Sequence, residues 1–152
     1  ERRGRKMKLK IGNKEYSIKY GYKPTLKSRV ISKVVKMSGI SNNDGSVDME
    51  KVEDLLLFLP ELLLVGLQVN HKEFRYDLDT ETDKPEMLER AFTLVEEYMN
   101  SEDADIMKFF GTLQEALLQD SFLKSLFQKE QKKAERAEIM EISGKIELAE
   151  EN

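Results

Sequence analysis

Residues Asp54 to Asn70 read DLLLFLPELLLVGLQVN, and this stretch decides the fold. From Leu55 to Val69 apolar residues cover nearly the whole circumference of a helix, the mark of a buried central helix rather than a surface one. A membrane span needs about 20 mostly apolar residues. This run is shorter and holds Glu61 and Gln68, so a core helix is expected. Pro60 removes one backbone hydrogen bond and is expected to kink or split the helix near residues 56–60. Glu61, alone in the run, is expected to point outward beside that break.

The stretch before it, SNNDGSVDMEK from Ser41 to Lys51, resembles a calcium loop. Setting Gly45 at the sixth position of such a loop puts Asn42 and Asp44 correctly but leaves Ile40 at the first and Lys51 at the twelfth. A cation where the bidentate carboxylate belongs repels the metal. The segment therefore reads as a turn over Asn43, Asp44 and Gly45, with Asp48 as the N-cap of the central helix and Val47 as its hydrophobic staple.

Upstream, Leu9 and Ile11 alternate on one side of Gly12-Asn13, and Tyr16, Ile18 and Tyr20 on the other. Period-two apolar residues flanking a Gly-Asn pair predict a β-hairpin with a primed turn over residues 7–22. Two strands alone are barely stable, so the hairpin must lay its apolar face on helices. Pro24-Thr25 then open a helix with Leu26, Val30, Val34 and Met37 on its buried stripe, widened by Ile31 and Val35. Gly39 is expected to close it.

Downstream, a polar connection ends at Asp83, the expected N-cap of a helix burying Met87, Leu88, Ala91, Phe92, Val95, Tyr98 and Met99. A further helix has Ile106, Phe110, Leu113 and Leu117 as its seam, with Met107 and Phe109 beside it. After a break at Asp120-Ser121, a last helix carries Phe122, Leu123, Leu126 and Phe127. The expectation is a mainly α, single-domain helical bundle of about five helices, with a small N-terminal β-hairpin packed on it. The domain spans residues 7–128, and residues 129–152 form a charged C-terminal helix or tail.

Composition narrows the function. The chain has 152 residues, a net charge of −4, 36% charged residues and no cysteine. An acidic balance argues against nucleic-acid binding, which needs a basic face. Without cysteine there is no disulfide framework, thiolate nucleophile or cysteine zinc site. Residues 1–6, ERRGRK, lack the apolar run of a targeting signal. Purine-only codons can encode all of them, and Arg2-Arg3 as AGG-AGG would be a ribosome-binding site ahead of Met7. They read as a translated leader or an expression remnant.

No catalytic constellation emerges. Asp77, Asp79, Glu81 and Asp83 alternate like a metal loop, but no glycine follows at the sixth position and Leu88 stands at the twelfth. The reading is a solvated acidic loop. His71, the single histidine, lies at the end of the central helix, where a cation complements the helix dipole. No catalytic, cofactor-binding or metal-ligating residue is assigned, and no cofactor is expected. What remains is surface: Phe109, Phe110, Phe122, Leu123, Leu126 and Phe127 concentrate large apolar groups near the C-terminus. Most of them are expected to close the core; they are also the candidate partner-binding residues, for a helix-in-groove or hydrophobic-patch contact.

Three segments together carry a resemblance: MKLKIGNKEYSIKYGYKPTLKS from Met7, EKVEDLLLFLPELLLVGLQ from Glu50, and EDADIMKFFGTLQEALLQDSFLKSLF from Glu102. In this order they resemble the tail assembly chaperones of long-tailed phages and prophages of Gram-positive bacteria, over residues 7–131. The resemblance implies a factor of the host bacterial cytoplasm that binds the tape-measure protein, keeps it soluble and recruits tail-tube protein. It also implies absence from the finished virion and a mostly helical fold. Such families often make a longer product by ribosomal frameshifting, and Gln131-Lys132-Lys133 can be encoded by a slippery run. Self-association or pairing with that longer form would follow. No nucleic acid and no membrane is expected as a partner. The alternative is a structural connector or tail component retained in the particle.

Overall fold

The computed structural model describes residues 7–37, 48–119 and 122–125. Strands β1 (Met7–Ile11) and β2 (Lys14–Ile18) pair antiparallel, with Leu9 opposite Tyr16 and Ile11 opposite Lys14. Helices α1 (Tyr22–Ser28), α2 (Val30–Met37), α3 (Met49–Leu67), α4 (Lys84–Met99) and α5 (Ile106–Gln119) follow, with a short 3₁₀ turn at Lys72–Phe74. The expected helical bundle with an N-terminal hairpin is the fold observed. The expected turn residues join the strands, and Gly12 has φ 63° while Asn13 is not left-handed. A positive φ at the first central position alone is the pattern of a type II′ turn.

α3 is the axis of the domain. Asp48 caps it as expected, its side chain accepting from the Glu50 N–H at 3.1 Å. Leu55, Phe58, Leu59 and the run from Leu62 to Leu67 are buried; the first turns, from Met49 to Asp54, are largely exposed, and beyond them Leu57 alone points fully out. The expected split at Pro60 does not occur: one helix runs through it, with Pro60 itself buried. A proline inside a helix costs about 3 kcal/mol. Burying each leucine contributes about 1.5–3 kcal/mol, so the packing on both sides of Pro60 outweighs that cost.

The C-terminal end of α3 has no glycine cap, yet every one of its last four carbonyls is satisfied. Leu64 O accepts from the buried Gln68 side chain at 3.1 Å and Val65 O from the Gln68 N–H at 3.4 Å. Gly66 O accepts from the Lys19 N–H and Leu67 O from the His71 N–H, both at 3.0 Å. The next two carbonyls, of Gln68 and Val69, accept from the Arg75 guanidinium. Since an unpartnered buried carbonyl is costly, this set of bonds fixes where α3 stops.

The same end receives the hairpin. Tyr20, buried, donates its hydroxyl to Leu62 O at 2.8 Å, and burial pushes its phenol well above the usual range. Gly66 permits the approach: a Cβ there would stand 2.9 Å from the Ile18 side chain and 3.0 Å from the Tyr20 ring. Leu9, Ile11, Tyr16 and Ile18 all face the core, as their alternation requires.

Several expectations about the outer helices are corrected. The first helix is two, because Arg29 adopts the left-handed conformation (φ 57°) between α1 and α2. Leu26 and Val35, assigned to its buried stripe, are exposed. The agreement on five helices is thus made up differently, since the predicted last helix falls largely outside the described residues. In α4, Phe92 is exposed while Met87, Ala91 and Val95 carry the packing. Asp83 stands at the N-cap position of α4 but makes no side-chain capping bond. In α5, Met107 is exposed, Ile106 is only half-buried, and Ala116 joins Phe109, Phe110, Leu113 and Leu117 inside. Gly39 and the turn over residues 41–47 lie outside the described residues.

Candidate functional site

The polar and charged candidates resolve into structural roles. His71 is not a cation at a helix end: its Nε2 accepts the Ser17 backbone N–H at 3.0 Å, so that nitrogen carries no proton. Nδ1 faces the Glu73 carboxylate at 3.7 Å, and the ring packs on Tyr16 with centroids 5.4 Å apart. This fixes the tautomer in the way a second partner usually does. Glu73 is held below the usual carboxylate range, first by its own backbone N–H and, to a lesser extent, by Lys14, against slight burial.

Glu61 does not simply face solvent. It is the hub between α2, α3 and α4, meeting Lys33 at 2.6 Å and Lys84 at 3.4 Å. Burial alone would lower the Lys84 pKa, but Tyr76, Glu81 and Glu61 together raise it. The alternating carboxylates of the loop before α4 are also occupied. Asp77 accepts the backbone N–H groups of Asp79 and Thr80, at 2.8 and 3.1 Å. Asp79 pairs with Lys27 at 3.1 Å and Lys23 at 3.5 Å. The N–H of Thr80, then that of Asp79, hold the Asp77 carboxyl low; Lys27 and Lys23 do the same for Asp79. Among the described residues no cluster of three or more such side chains could hold a metal. None of their helices is long and apolar enough to cross a membrane.

The predicted apolar patch divides. Phe109 and Phe110 are corrected to core residues, 1% and 2% exposed, because α5 turns that side onto α3 and the hairpin. Leu123 is half-buried against the core, and Leu126 and Phe127 lie outside the described residues. Among the described members of the patch, only Phe122 is on the surface, 40% exposed.

Phe122 is not isolated. Its ring meets Tyr22 edge-on, with centroids 5.1 Å apart. Tyr22 is 67% exposed and Leu26, one turn further along α1, is 44% exposed. Between them lies a shallow apolar depression walled by the stems of Lys23 and Lys27, whose ammonium groups are drawn aside to Asp79. The opposite side of α1 is the reverse of what a surface helix shows: Thr25 and Ser28 are buried. The Ser28 hydroxyl donates to Pro24 O at 2.7 Å, and the Thr25 hydroxyl has no protein partner among the described residues.

α1 is therefore turned inside out, with hydroxyls toward the core and an aromatic and a leucine toward solvent. Such a ledge can bind an apolar surface. The sequence reasoning placed Leu26 inside and passed over Tyr22. The available signal was the i, i+4 pair Tyr22–Leu26 set against Thr25–Ser28 at i, i+3 on the other side. Compared with protein families, with curated proteins and with solved structures, the chain matches none.

Proposed function

We propose that this protein is a tail assembly chaperone of a long-tailed phage or prophage, working in the cytoplasm of a Gram-positive host. It binds the tape-measure protein, keeps that long helical chain soluble and brings tail-tube subunits to it. It then leaves before the virion is complete. The observation carrying this reading is the ledge of Tyr22, Leu26 and Phe122, which joins the first and third of the chaperone-like segments on one surface. An exposed apolar surface on an acidic protein suits reversible cover of an aggregation-prone helix: the apolar groups bind and the net charge keeps the pair in solution.

The test is co-expression with the tape-measure protein of the same phage. The tape-measure protein should become soluble and co-purify, and a chain carrying Tyr22→Ser, Leu26→Ser and Phe122→Ser should lose both effects while keeping its helical circular dichroism. An insoluble tape-measure protein beside the unaltered chain overturns the reading. Recovery of the chain in purified virions, in fixed ratio to the tube protein, would instead make it a structural component.

A further inference from the structure

The two edges of the hairpin differ in a way the chaperone reading does not use. A two-residue loop makes Ile11 and Lys14 a hydrogen-bonded pair, so alternate residues direct their backbone groups away from the partner strand. On β2 those are Glu15 and Ser17, with Lys19 just beyond the strand, and the N–H groups of Ser17 and Lys19 are taken, by His71 Nε2 and Gly66 O. On β1 they are Lys8 and Lys10. Their backbone N–H groups have no hydrogen-bond partner among the described residues.

The open edge borders a cleft. Lys8, Leu9 and Lys10 line one side, and the start of α5, through Lys108, Phe109 and Thr112, lines the other. Its volume, about 460 Å³, falls in the range of roughly 300–1,000 Å³ that small-ligand clefts span. Lys8, Lys10 and Lys108 form no ion pair within 4 Å among the described residues. Against them stand Asp103 on the same lining, Glu15 across the hairpin from Lys10, and Glu97, whose carboxylate abuts Gly12 at the turn. The lining itself holds three lysines and one carboxylate, an excess of positive charge in a chain of net charge −4, with Glu15 and Glu97 set just outside it.

We infer that the β1 edge and this cleft bind an extended acidic peptide segment of a partner protein by strand addition. The partner's main chain takes up the free groups of Lys8 and Lys10. Alternate side chains then divide by chemistry, apolar ones into the cleft between β1 and α5 and carboxylates toward the three lysines. Lysines on an edge strand ordinarily deter pairing with another chain. Beside a cleft they deter neutral and basic strands and admit an acidic one.

The probe is a short fluorescent peptide alternating glutamate and valine, titrated against the full chain at low salt. Binding should weaken by about tenfold or more when Lys8→Glu, Lys10→Glu and Lys108→Glu are combined, given the modest strength of each exposed pair. It should weaken with added salt and be absent for the lysine–valine counterpart. Hydrogen exchange should show the Lys8 and Lys10 amides slowing on peptide addition. No binding, undiminished binding to the triple variant, or slowing confined to other amides overturns the proposal. Amides already slow without peptide at every protein concentration would mean the chain's own segment fills the edge. Amides slow only at high concentration would mean a second copy does. Either result also overturns it.

Discussion

α3 and α1 are the two helices whose apolar residues invite the same reading, and they behave in opposite ways. From Leu55 onward α3 is apolar nearly all round and buried nearly all round, so its pattern and its environment agree. α1 carries its apolar pair outward and its hydroxyls inward. The difference lies in what orients each helix. α3 is nineteen residues long and has enough apolar area to collect the other elements around itself. α1, seven residues long, is held by its ends: Gly21, whose carbonyl accepts the Thr25 N–H, and the left-handed Arg29. A short helix between two such joints takes the facing its joints impose, and its side chains accept the result.

Three substitutions test that contrast. The largest effect is expected from Leu63→Ala in α3, which empties a fully buried site and should cost about 2–5 kcal/mol in urea denaturation. A loss near zero would mean that α3 is not the axis of the core. Next comes Gln68→Ala. It removes the donor to Leu64 O and Phe74 O and should cost about 1–3 kcal/mol, with little change in circular dichroism away from the end of α3. The smallest effect has the opposite sign. Thr25→Val replaces a buried hydroxyl with no protein partner among the described residues by a methyl of similar shape, and should raise stability by about 1 kcal/mol. A destabilisation of that size would show that the inward face of α1 depends on its hydroxyl.

The contrast also explains how far the sequence could be read. The hairpin was legible because alternation and Gly12-Asn13 demand the same register. α3 was legible because a helix apolar on every side has only one place to go. The interruption at Arg29 was not, since nothing in its chemistry forces a left-handed backbone and the tertiary joint does. Phe109 and Phe110 mark the limit for the candidate site. Density of aromatics near the C-terminus looks the same whether it closes a core or opens a surface, and only the rotation of α5 about its axis separates the two. Phe122 was found by that density. Its neighbour Tyr22 was hidden because it lies a hundred residues away in sequence and sits beside a proline-bearing turn.

The anchoring of the hairpin has a consequence for biosynthesis. Its fixed points, Leu62, Gly66 and His71, lie 42 to 54 residues further along the chain than the groups they hold. A two-stranded hairpin is marginal on its own. At about 5–20 residues per second of translation, it exists for several seconds before its support has been made. During that interval both of its edges are bare, and the lysines at positions 8 and 10, with the glutamate at 15 and the lysine at 19, are what keep the newborn hairpin from pairing with its neighbours on the same messenger.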